Sequence, residues 1–150
     1  MPDVSTHTRS VATAAGTWSL AWAATTHTGR RREINQDAVL ASYPLFVVAD
    51  GMGGHIGGEI ASSRTVERLS GTGEGGSVTP RTIEKALAKA VRDIASHPKA
   101  TDEGTGTTVT GVYLDVSGDE PHWVTLNIGD SRVYLLRDGA LAQITTDHSV

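Results

Sequence analysis

Large apolar residues recur at every second position from Trp18 through Leu20 to Trp22, with Ser19 and Ala21 between them. That period of two predicts a strand with the three large side chains on one face. Thr25 to Ile34 is polar and basic and reads as a loop, and a second strand is expected over Asp37–Ser42, stopped by Pro44. Leu45–Ala49 is continuously apolar and ends at Asp50-Gly51, the pattern of a fully buried strand with a carboxylate at its tip. The segment Gly51–Gly58 holds five glycines in Gly-Met-Gly-Gly-His-Ile-Gly-Gly and is expected to be irregular, with backbone free for positive φ or close approach. A helix is expected from about Glu59 to Leu69, with Ile60, Val66 and Leu69 as its apolar stripe.

The clearest periodicity lies further on. Ile83, Ala86, Leu87, Ala90, Val91 and Ile94 keep helical spacing, Thr79-Pro80 supplies the N-cap and first helical residue, and Pro98 ends the run. Thr107–Val116 and Trp123–Ile128 read as strands around a Ser-Gly-Asp-Glu-Pro turn. Val133–Arg137 and Ala140–Ile144, joined by Asp138-Gly139, predict a hairpin. Strands, two helices and an antiparallel meander make an α+β chain with helices covering antiparallel sheet.

Met1–Gly16, rich in Ser, Thr and Ala, lacks the basic start and apolar block of a signal peptide and is expected to be a flexible tail preceding a domain over 17–150. No apolar run nears the roughly 18 residues of a membrane span. With 13 Lys and Arg against 17 Asp and Glu, the formal charge of −4 argues against non-specific nucleic-acid binding. The absence of Cys excludes a disulfide framework, thiolate zinc sites and a Cys nucleophile, and fits a reducing, cytoplasmic compartment. The 150 residues suit one domain or part of a larger one, and Thr145–Val150 reads as the start of a further element, a domain truncated on its C-terminal side.

Three acids stand at strand ends, Asp37, Asp50 and Asp130, the last two beside a glycine. Each alone is what a turn commonly uses. Together they could converge at one sheet edge, where like charges need a cation, and hard oxygen donors point to Mg²⁺ or Mn²⁺. The glycines after Asp50 favour that reading, and leave the Gly51 carbonyl available as a further ligand. Gly71–Gly76 matches G-x-G-x-x-G but follows a helix, so it is a linker and not a dinucleotide fingerprint. No Walker A lysine is present. His55 reads as an exposed loop residue, and Ser62 and Ser63 lack a nucleophile elbow. Arg30-Arg31-Arg32 is either a solvated face or a source of one guanidinium fork for a phosphate.

Arg32–Asp37, Asp50–His55, Gly104–Thr108, Ile128–Arg132 and Thr146–Ser149, in this order and spacing, resemble the bacterial metal-dependent protein phosphatases of the protein phosphatase 2C-like family, over about Trp18 to Val150. The resemblance implies an antiparallel β-sandwich flanked by helices in an α-β-β-α order. It implies hydrolysis of phosphoserine and phosphothreonine by a water activated between two Mn²⁺ or Mg²⁺ ions, with a third, weaker ion in bacterial relatives. By position, Asp50 would bridge two metals, Gly51 would offer its carbonyl, Asp37 would act on a metal through water, Arg32 would hold the substrate phosphate, and Asp130 would bind the third ion. Gln36 stands where many members carry Glu, and removes one charge. Two further aspartates of the family's site come from a later part of its domain. The implied partners are a phosphorylated protein and a Ser/Thr kinase, with the chain a monomer and no nucleic acid or membrane involved. A different reading, an inactive phosphatase-like module that binds phosphoprotein through Arg32, stays open on the sequence.

Overall fold

In the computed structural model, residues 4–53, 56–73, 77–100 and 104–148 are described. The centre is an antiparallel sheet in which β3 (Asp37–Ser42), β4 (Leu45–Met52), β6 (Val109–Asp115) and β7 (His122–Ile128) lie side by side, with the two-residue β5 (Gly106–Thr107) pairing the far end of β4. Two helices, α1 (Gly57–Ser70) and α2 (Pro80–Ala95), pack against each other, and α1 packs on β3 and β4. Two separate hairpins complete the described residues: β1 (Thr6–Thr13) with β2 (Gly16–Ala23), and β8 (Tyr134–Arg137) with β9 (Ala140–Gln143).

The side-chain alternation of β4 sorts the two faces of the sheet. Leu45, Val47 and Ala49 are buried, and the first two join Leu69 of α1, Ile83 and Ala86 of α2, and Val109 and Tyr113 of β6 in the core. Phe46, Val48 and Asp50 point the other way, and Val48 stays 45% exposed. The apolar run was expected to be buried on both faces; it is half-buried because the helices cover one face only. On the opposite face the Trp22, Phe46 and Trp123 rings form an edge-to-face chain with centroids 5.4 and 5.9 Å apart, and the Trp22 indole donates to the Ala41 carbonyl at 3.1 Å. These contacts seat the β1–β2 hairpin on the sheet.

The expected tail over 1–16 is corrected by β1, which pairs with β2 from Thr6↔Ala23 to Thr13↔Gly16. Its threonines and Val11 are strand formers, and β2 gives them a ladder that a tail would lack. The glycine segment is also less irregular than expected. Gly51 and Met52 continue β4 and pair with Thr107 and Gly106, while Gly57 and Gly58 already belong to α1. Among the described residues of this segment, positive φ occurs at Gly53, with φ +139°. In α1 the buried face is Ala61, Ser62, Thr65 and Leu69, not the stripe through Ile60 and Val66, which are half-buried.

The second helix begins as expected. The Thr79 hydroxyl accepts from the Thr82 amide at 3.2 Å, and the Thr82 hydroxyl accepts from the Thr79 amide at 2.9 Å, a reciprocal capping box with Pro80 in the first turn. Its stripe is only partly covered: Ile83, Ala86 and Ala90 are buried, whereas Val91 is 65% exposed. Arg68 of α1 and Asp93 of α2 form an ion pair across the helices. In the β8–β9 turn, Asp138 (φ +53°) and Gly139 (φ +78°) are both left-handed, as a two-residue hairpin turn of the primed type requires.

Candidate active site

Asp37, the first residue of β3, lies directly opposite Asp50 of β4, and both side chains leave the sheet on the face away from the helices. Side chains of facing residues sit about 5 Å apart at Cβ, close enough for two carboxylates to contact each other. The Asp50 carboxyl is held above the usual carboxylate range, first by partial loss of hydration, then by the charge and hydrogen bond of Asp37, then by the charge of Asp130; Arg32 opposes the shift. The four charged residues picked from the sequence therefore share one electrostatic field. They do not form a closed cage: among the described residues, no three His, Cys, Asp or Glu side chains converge on a point that could hold an ion. Asp37 and Asp50 are the close pair, and Asp130 acts from further off.

The backbone around Asp50 is held on every side. The Gln36 carbonyl accepts from the Gly51 amide at 3.1 Å and from the Ser62 hydroxyl at 2.6 Å, which ties the loop before β3 to β4 and to α1. Gly51 has no room for a side chain, since a Cβ there would lie 2.0 Å from the Gly58 carbonyl oxygen and 2.5 Å from that of Gln36. In return, a Cβ on Gly58 would lie 2.9 Å from the Gly51 oxygen. Gly51 and Gly58 thus let the start of α1 rest on the Gly51–Met52 peptide. This close approach, rather than a loose loop, is what these two glycines serve.

Arg32 is exposed in the loop before β3, and its guanidinium reaches the Gln36 side-chain oxygen at 3.5 Å, at the long limit of a hydrogen bond. Gln36 is half-buried, and its side-chain nitrogen faces the Gly53 carbonyl at 3.5 Å. The Gln36 amide therefore sits between Arg32 and Gly53. Asn35 orders the same loop: its side-chain oxygen accepts from the Asp37 amide at 3.1 Å, and its side-chain nitrogen donates to the Thr26 hydroxyl at 2.8 Å. Arg30 and Arg31 are exposed. His55 lies outside the described residues.

Residues that sequence reasoning gave no role also build the site. Thr108, between β5 and β6, donates its amide to the Asp50 carbonyl at 2.9 Å, and its hydroxyl accepts from the Asp50 amide at 3.0 Å. The Thr107 hydroxyl donates to the same Asp50 carbonyl at 3.0 Å. Both threonines are in the Gly104–Thr108 string, but only the pairing of β4 with β5 and β6 shows that they face Asp50. On the Asp130 side, the Asn127 side-chain nitrogen donates to the carbonyls of Gly129 (3.2 Å) and Thr146 (2.9 Å), and the His148 amide donates to Gly129 at 2.9 Å. Arg132 grips Asp147 through two nitrogens, at 2.6 to 3.1 Å, and holds its carboxyl below the usual range.

The family model for protein phosphatase 2C matches residues 25–150. The chain belongs to the protein phosphatase 2C family. It is 38% identical over 133 residues to the serine/threonine protein phosphatase PstP of Mycobacterium tuberculosis, an alignment covering 85% of this chain and 25% of that protein. It is 35% identical over 138 residues to the serine/threonine phosphatase stp of Listeria monocytogenes, covering 83% and 53%. The fold matches the crystal structure of the PstP catalytic domain in complex with two manganese ions, with a TM-score of 0.66 and 31% identity, over 96% of this chain and 56% of that one. The antiparallel sheet with its helix pair is thus the family's α+β architecture, in part: the chain spans a quarter to about half of the curated relatives it matches. No helix among the described residues is long and apolar enough to cross a membrane.

Proposed function

We propose that this chain supplies the front half of a metal-dependent phosphatase site that hydrolyses phosphoserine and phosphothreonine in proteins. The observation that carries the reading is the Asp37–Asp50 pair, two carboxylates opposed across β3 and β4 with the Asp50 carboxyl pushed up by burial and by its neighbour. Such a pair is strained by like charge in the absence of a cation and relaxed in its presence. Its donors are hard oxygens, which suit Mn²⁺ or Mg²⁺. Asp50, the Gly51 carbonyl, Asp37 (indirectly) and the more distant Asp130 are the groups that would hold such ions. Bound there, the ions lower the pKa of a water nucleophile and clamp phosphate oxygens.

The chain's own residues do the rest. Among the described residues Arg32 is the cation whose charge opposes the shift of Asp50, and its exposed planar fork suits two oxygens of a phosphoryl group. The Gln36 side chain beside it restricts the approach of that fork without adding charge. The open face beside Asp37 and Asp50 admits a phosphorylated side chain on a protein surface, and a protein of this kind works against a Ser/Thr kinase.

The test is Mn²⁺-dependent hydrolysis of a phosphothreonine peptide by the full natural chain carrying this sequence. Asp50→Asn is expected to lower kcat at least about a hundredfold, the scale of losing a group that stabilises transition-state charge. Activity equal to the parent would overturn the assignment. Phosphopeptide binding that Arg32→Ala abolishes, in a parent protein showing no turnover with Mn²⁺ or Mg²⁺, would instead establish the binding-module alternative.

A further inference from the structure

Continuing the register of β4 with β5 and β6 puts Thr108 directly opposite Asp50, since Gly51 faces Thr107 and Val48 faces Thr110. In an antiparallel ladder every second facing pair exchanges both amide-to-carbonyl bonds, and the bond from the Thr108 amide to the Asp50 carbonyl marks this pair as one of them. Here one bond is regular, from the Thr108 amide to the Asp50 carbonyl. The other is diverted: the Asp50 amide donates to the Thr108 hydroxyl at 3.0 Å in place of the Thr108 carbonyl. The buried Thr108 hydroxyl then reaches the Ser131 hydroxyl at 2.9 Å. Ser131 is the neighbour of Asp130. On the same side, a Cβ at Gly129 (φ +105°) would lie 2.7 Å from the Thr108 methyl, so the Asp130 turn is pressed against Thr108 by shape as well.

We infer that Thr108 and Ser131 form a hydroxyl bridge that sets the position of Asp130 relative to Asp50, making both of them positioning residues of the phosphatase site. The inference rests on the functional reading above. Its physical basis is that a backbone amide of one acid and the residue beside the other share a single two-hydroxyl link. A purely structural ladder bond would have used the carbonyl and made no such connection. Partners of this kind that orient metal ligands change metal affinity by about 10 to 100-fold when removed.

The experiment is Mn²⁺ titration by calorimetry of the full natural chain, alongside phosphopeptide kinetics. Ser131→Ala, which leaves the Thr108–Asp50 bonds in place, is expected to raise the Mn²⁺ dissociation constant about tenfold. In an Asp130→Asn background the same change is expected to have less than about a twofold effect, because nothing remains to be positioned. Thr108→Val is expected to match Ser131→Ala, and Thr108→Ser, which keeps the hydroxyl, to restore parental affinity. If Thr108→Val does not fold, the Ser131 and Asp130 cycle decides alone. Parental Mn²⁺ affinity in Ser131→Ala, or an equal loss in both backgrounds, overturns the bridge. If Asp50→Asn itself keeps Mn²⁺ binding and hydrolysis, the phosphatase reading fails first; if Asp50→Asn is dead and Ser131→Ala silent, only the bridge is wrong.

Discussion

Replacing Gly58 with Ala sets two effects of opposite sign against each other. Ala is favoured over Gly within a helix by about 1 kcal/mol, which on propensity alone would make the change stabilising. The surroundings say otherwise. A Cβ at Gly58 would lie 2.8 Å from the Gly51 carbonyl carbon, 2.9 Å from its oxygen and 2.9 Å from the Gln36 side-chain carbonyl carbon. Two of those three atoms are backbone of a strand paired on both sides, so rotation of a side chain cannot relieve them. Overpacking of this kind costs about 1–3 kcal/mol, and the rigid contacts put Gly58 at the upper end. The net expectation is a loss of about 2 kcal/mol. With a urea dependence of about 2 kcal/mol/M for a small domain, the unfolding midpoint should fall by about 1 M. Gly118→Ala is the control: its nearest neighbour would be the Glu120 carbonyl oxygen at 3.9 Å, and the midpoint should stay within the scatter of exposed sites, about 0.5 kcal/mol. A Gly58→Ala protein that unfolds at the parental urea concentration or above refutes the claim that α1 rests on the Gly51–Met52 peptide.

Two other perturbations probe the packing and the charges. Leu69, fully buried in the core, should cost about 3 kcal/mol as Leu69→Ala, against a clearly smaller loss for the half-buried Ile60→Ala; equal losses in thermal melts would return the apolar stripe of α1 to the Ile60 side. The Arg68 guanidinium holds the Asp93 carboxyl below its usual range, so ionised Asp93 adds stability above the ordinary carboxylate pKa of about 4 and loses it as pH falls through the depressed value. Melting curves of the parent and Asp93→Asn should therefore differ at neutral pH and converge below about pH 4, and a gap that persists in acid would show that the pair is not its source.

Much of this was legible in the residues because local pattern and tertiary context agree there. The strand Asp37–Ser42, the capped helix from Pro80, the Asp138-Gly139 hairpin and the carboxylates at strand ends all follow from periods and turn chemistry. What escaped depends on partners far along the chain. Thr6–Thr13 has the composition of a tail until Gly16–Ala23 pairs with it. Gly51-Met52 has the composition of a loop until Thr107 and Gly106 extend the strand. Ser62 and Thr65 are polar, yet they face inward; Ser62 can do so because its hydroxyl donates to the Gln36 carbonyl from a position 26 residues away. Thr108 and Ser131 lie within the Gly104–Thr108 and Ile128–Arg132 strings, but the strings give them no role, because their hydroxyls meet only in three dimensions.

The opposition of Asp37 and Asp50 has a source remote from any substrate. Strand side chains alternate, so sliding β4 by one residue would turn Asp50 in toward the helices and bring Leu45 and Val47 out into water. Each of those two side chains contributes about 1.5–3 kcal/mol by staying covered, and that sum is what forbids the slip. The greasy underside of the sheet thus acts as a ruler for the charges on top. A core substitution that loosens Leu45 or Val47 would be read out, ångströms away, as an error in the spacing of two acids it never touches.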